Sequence, residues 1–103
     1  MVLIALPRTA PLIPICRISR ALIPSEHYDL GFHPTATCGA FAAAAAAARV
    51  LGLDAERTAD AFGIALSEAA GSLQFLANGA WTKRFQAGEA AMAGLMAAVF
   101  ASK

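Results

Sequence analysis

Charge is scarce in this chain. Asp, Glu, Lys and Arg make up 15% of its 103 residues, against about a quarter in ordinary globular domains. The net charge is +1, and Arg8, Arg17, Arg20, Arg49, Arg57, Lys83, Arg84 and Lys103 are scattered, with one adjacent pair. Electrostatic capture of nucleic acid needs clustered cations, so that class of partner is excluded. Cysteine is nearly absent. Cys16 and Cys38 share no CxxC spacing, which argues against a zinc site or a disulfide framework and suits a reducing cytoplasm. No uncharged apolar run reaches the eighteen or so residues of a membrane span. The apolar start MVLIALPRTAPLIPI lacks a leading basic region and is broken by Pro7, Pro11 and Pro14, unlike a signal peptide. There is no GxGxxG, P-loop, GxSxG or HExxH, so nucleotide binding, serine hydrolysis and zinc proteolysis have no motif to rest on.

What the chain has in abundance is small apolar residues. The apolar share is 58%, much of it alanine, in the run from Ala42 to Ala48 and around Ala90, Ala91, Ala97 and Ala98. Alanine is the best helix former and adds little bulk, so such helices can approach one another closely. With so little charge to cover it, the surface is expected to meet another subunit or further parts of the same polypeptide.

Residues 1–14 are expected to be irregular, since proline blocks helix continuation and central-strand pairing alike. Residues 15–103 are expected to form one helical unit. Ile15, Ile18, Leu22 and Ile23 recur at helical spacing up to Pro24. Thr35 or Thr37 can cap a second helix running through the alanines to Leu51, with Gly52 placed to end it. Asp54 is a good cap for a third helix, and Glu56 suits the positive end of its dipole. That helix is expected to bury Ala55, Ala59, Phe62, Ala65, Leu66 and Ala69 and to stop near Gly71. Ser72 to Ala77 adds a turn before Asn78-Gly79, and a last helix from Thr82 or Phe85 to Ala101 keeps Ala91, Leu95, Ala98 and Val99 together. Gly88 and Gly94 lie inside it and suit places where another backbone comes near. The fold class is therefore all-α, about four helices.

Three polar features interrupt this apolar background. His33, in Gly31-Phe32-His33-Pro34-Thr35, stands at a helix start, where free N–H groups favour carboxylates and an imidazole can bind one or move a proton. The alternative is a loop histidine bonded to its own backbone. Lys83 and Arg84 open the last helix, where the dipole disfavours cations. They could clamp a polycarboxylate, or simply form a solvated pair. Glu26-His27-Tyr28-Asp29 gathers acid–base groups in a loop, as exposed loops often do.

Taken as a set, GFHPTATCGAFAAAAAAARVLGL, AFGIALSEAAG and GAWTKRFQAGEAAMAGLMAA resemble the MmgE/PrpD family, from near Arg20 to the end of the chain. The family includes 2-methylcitrate dehydratases and cis-aconitate decarboxylases. The resemblance implies a helical main domain and a second lid-like α+β domain, usually in a homodimer. It also implies lyase or isomerase chemistry on small di- and tricarboxylates without metal or organic cofactor. It makes His33 and Lys83 the expected catalytic pair, with Thr35, Arg84 and Gln86 as substrate-binding neighbours. Many relatives have histidine where this chain has Gln86, an amide that hydrogen-bonds but is neither acid nor base near neutral pH. Neither the family's upstream acidic and histidine residues nor its lid has a counterpart here. The expectation is a fragment of such an enzyme, inactive alone and pairing with itself or a longer paralogue.

Overall fold

The computed structural model describes residues 25–103, so the expected Ile15–Ile23 helix lies outside the described residues. Among the described residues, a 3-10 turn at Ser25–His27 leads into four α-helices: α1 (Pro34–Val50), α2 (Ala55–Glu68), α3 (Phe75–Asn78) and α4 (Thr82–Ala101). The class is all-α, as expected. The one extended pairing among the described residues is an isolated antiparallel bridge between Phe32 and Ser72.

The helix boundaries follow from local chemistry. His33, not Thr35 or Thr37, is the N-cap of α1. Pro34 is the reason: at the first helical position its missing N–H costs nothing and its fixed φ is already helical. Thr37 instead sits inside the first turn, with its hydroxyl directed to the His33 carbonyl at 3.3 Å. At the other end Gly52 adopts φ +69°. Leu53 N–H reaches Ala48 O at 2.9 Å and Gly52 N–H reaches Arg49 O at 3.2 Å, the two reversed bonds of a Schellman ending. Asp54 caps α2 as expected, accepting from Arg57 N–H at 2.9 Å. The Asn78-Gly79 turn also forms, with Gly79 left-handed at φ +66° and Ala80 N–H bonded to Asn78 Oδ1.

Packing is by small residues. Ala36, Ala40, Ala44 and Ala48 form a buried row along α1, and Gln86, Ala90, Gly94 and Ala98 form a matching row along α4. Residues four apart share a helix face. Sequence number rises in the same direction along both rows. His33 meets Gln86, a methyl on Gly39 would touch Ala90, and one on Gly94 would run into the backbone at Ala40 and Ala44. The two helices are therefore parallel, with their N-termini at one end of the molecule. The antiparallel α2 fills the third side: Ala65 packs with Ala44 and Ala97, and Ala61 with Ala48 and Ala98.

Two expected core faces are displaced. On α2 the buried positions are Ala61 and Ala65, whereas Ala55, Ala59 and Leu66 are exposed. On α4 the stripe of Ala91, Leu95, Ala98 and Val99 contributes only Ala98; Leu95 is 54% exposed, and Ala90, Ala93, Gly94 and Ala97 are buried in its place. The cause is the closeness of α1 to α4. Backbones this near leave room for hydrogen or methyl and nothing larger, so bulky side chains are turned outward. Of the two α4 glycines, Gly94 occupies such an approach and Gly88 has open space around it.

Candidate active site

The shared N-terminal end of α1 and α4 holds the residues singled out from sequence. His33 is 6% exposed and Gln86 7%, and they are the two polar side chains buried in the described core. His33 Nδ1 lies 2.7 Å from Gln86 Oε1, and Gln86 Nε2 donates to Ser72 O at 3.0 Å. The imidazole meets the Phe75 ring edge-on, with centroids 5.2 Å apart. Its backbone is fixed as well, His33 N–H donating to Gly71 O at 3.1 Å, while Leu73 N–H donates to Gly31 O at 2.9 Å. Gly71 has φ +151°, and a Cβ there would collide with Ala36 Cβ. Glycine is thus what lets the segment after α2 lie against the start of α1.

Lys83 stands one turn before Gln86 on α4. Residues three apart on a helix are surface neighbours, about 5 Å apart along the axis, so the ammonium is carried at the same end of the molecule as His33. Lys83 is exposed, and neither an ion pair nor a hydrogen bond joins it to His33. Arg84 is exposed too, with its guanidinium carbon 4.4 Å from the centre of the Trp81 ring, a stacking that holds a cation at the helix start. Thr35 is exposed on the first turn of α1. The structure thus brings His33 and Gln86 into contact and carries Lys83 one turn before Gln86 on the same helix, but gives Lys83, Thr35 and Arg84 no hydrogen bond to either.

Electrostatically the two helix starts differ from that of α2. Neither α1 nor α4 has an acidic residue in its first turn or a side-chain cap, whereas α2 has Asp54 and Glu56. The first N–H groups of a helix have no acceptor within it. Two uncapped positive helix ends with two cations at one of them form an environment suited to an anion.

Phe75 and the main chain at Gly71 and Ser72 escaped the sequence reading, whereas His27 stood in it only as part of an acid–base loop. The ring of His27 contacts Phe32 with centroids 5.6 Å apart, and its Nε2 lies 2.7 Å from Thr37 Oγ1, so it buttresses the first turn of α1. Tyr28 and Asp29 beside it are exposed. The left-handed requirement at Gly71 is the signal that could have pointed to a close approach there. Among the described residues no group of three or more His, Cys, Asp or Glu is placed to hold a metal ion, and no helix is long and apolar enough to cross a membrane.

Residues 15–103 match the MmgE/PrpD N-terminal domain, and the chain belongs to that family. It is similar to cis-aconitate decarboxylase from Aspergillus terreus, with 39% identity over 85 residues, 82% of this chain and 17% of the relative. The same enzyme from A. terreus strain NIH 2624 / FGSC A1156 matches to the same extent. The chain therefore spans about one-sixth of the length of the curated relatives it matches. No solved structure matches it.

Proposed function

We propose that this chain supplies the carboxylate-binding and proton-exchanging end of a cytoplasmic lyase or isomerase that acts on small di- or tricarboxylates without a cofactor. The reaction is of the 2-methylcitrate dehydratase or cis-aconitate decarboxylase type. The observation that carries this reading is the parallel pairing of α1 and α4, which puts His33 and Lys83 at one end of the molecule. Such substrates bring two or three negative charges, which Lys83 neutralises as a point charge and Arg84 as a planar fork. Loss of water or carbon dioxide next to a carboxylate builds negative charge on carbon and requires a proton to leave or arrive. Fixed cations and helix starts stabilise that charge, and the imidazole of His33 exchanges the proton. Thr35 offers a hydroxyl at the mouth. These groups bind and move a proton but do not enclose the substrate, and the chain alone is proposed to bind without turnover.

Calorimetric titration of the purified chain with cis-aconitate, alongside an absorbance assay with cis-aconitate and 2-methylcitrate, tests this. Expected is saturable binding that weakens several-fold in Lys83→Ala and His33→Ala, with no turnover. Binding unchanged in both variants would contradict the site. Turnover by the chain alone, lost in both variants, would overturn the proposed inactivity.

A second reading is favoured by the exposed bulky side chains of α4, Met92, Leu95, Met96, Val99 and Phe100. In it the chain is a non-catalytic helical module that associates with itself or a longer paralogue through these faces.

A further inference from the structure

We infer that Gln86 is a positioning residue. It holds neutral His33 in the Nδ1–H tautomer, and so leaves Nε2 as the atom that takes the substrate proton. This deepens the proposed function and rests on it for the substrate, although the tautomer itself does not. The argument starts at Ser72. Its carbonyl oxygen can only accept, so the Gln86 atom 3.0 Å away must be the amide nitrogen. The amide oxygen is then turned to His33, 2.7 Å from Nδ1, and an amide oxygen only accepts. Nδ1 must therefore carry a proton, and in a neutral imidazole Nε2 then has a free lone pair. Both ends of the Gln86 amide are occupied, one by the main chain and one by the imidazole, so this side chain acts through His33 instead of touching substrate. Among the described residues Nε2 has no hydrogen-bond partner, yet no buried polar side-chain atom is left without one. The Nε2 edge is thus the part of the ring available to a ligand. A glutamine suits this task because its amide cannot titrate and release the ring. It replaces the substrate-binding role expected for Gln86 from sequence.

The chain contains two histidines, so the test is direct. In the full chain labelled with 15N at histidine, the ring nitrogens are observed by NMR above the titration range, with His27→Asn assigning the signals. Expected for His33 is a protonated, pyrrole-type Nδ1 and an unprotonated, pyridine-type Nε2. In Gln86→Leu this pattern is lost toward the Nε2–H form, and in Gln86→Glu, which keeps an acceptor facing the ring, Nδ1 stays protonated. A wild-type His33 protonated at Nε2, or a Gln86→Leu chain that keeps Nδ1–H, overturns the inference. Should Gln86→Leu fail to fold, the wild-type and Gln86→Glu spectra still decide. Adding cis-aconitate separates the two readings. If it leaves an Nδ1–H His33 unmoved, the positioning role stands and the substrate assignment falls. If it moves the Nε2 signal of an Nε2–H His33, the outcome is the reverse.

Discussion

At the scale of single residues, the site depends on glycine as much as on histidine. Gly71 permits a backbone that other residues rarely adopt, at φ +151°, and it does so against Ala36. The same short segment accepts hydrogen bonds from His33 N–H through Gly71 O and from Gln86 Nε2 through Ser72 O. Gly71→Ala is therefore expected to lower stability by about 1–3 kcal/mol, from the unfavourable φ and the overpacking together. Urea denaturation measures this, and a midpoint equal to wild type would show that the segment can move away without loss. Lys83→Ala should behave in the opposite manner. Its side chain is exposed, so stability should stay within about 0.5 kcal/mol of wild type while affinity for a polycarboxylate falls.

At the scale of helices, the arrangement is set by how near α1 and α4 can come. A Cβ on Gly94 would meet Ala43 Cβ, and would lie 2.5 Å from Ala40 O and from Ala44 N. Backbone atoms cannot step aside as a flexible side chain would. Gly94→Ala should cost about 1–3 kcal/mol or more, whereas Gly88→Ala, facing open space, should gain about 0.5–1 kcal/mol from helix propensity alone. Thermal unfolding of the two variants, expected to move in opposite directions, checks the register of the whole interface. This contrast also marks what could be read in the sequence. Helix ends were legible because Asp54, Gly52 and Asn78-Gly79 carry their instructions locally. The buried faces were not. A pattern reading looks for bulky residues such as Leu66, Leu95 and Val99 as the core, while here the inside is chosen by the smallest ones. The cap of α1 shifted from Thr35 or Thr37 to His33 because Pro34 fixes the first helical position. His33 and Lys83 stood out in sequence because each lies at a helix start. The bond between His33 and Gln86 spans 53 positions, and no local pattern reveals it.

At the scale of the molecule, the core of the described residues is mostly alanine methyl groups, with Phe75 the one large apolar side chain among the buried residues, and most of the bulk lies outside. Among the described residues no large side chain is fully buried, and Trp81, Phe85, Leu76, Leu66, Leu95 and Phe100 are all exposed. Burying a leucine or phenylalanine contributes about 1.5–3 kcal/mol, so these faces hold much unspent driving force for association. Concentration-dependent self-association of the purified chain in sedimentation equilibrium is the expected outcome, reduced in Leu95→Lys combined with Phe100→Lys, with helicity unchanged. The functional account rests on a different feature of the whole, the parallel course of α1 and α4 that brings an imidazole and an ammonium to the same end. A double-mutant cycle for cis-aconitate binding with His33→Ala and Lys83→Ala tests it most directly. The account predicts a coupling between the two substitutions of about 0.5 kcal/mol or more, as for residues that share one partner, and strictly additive losses would contradict it.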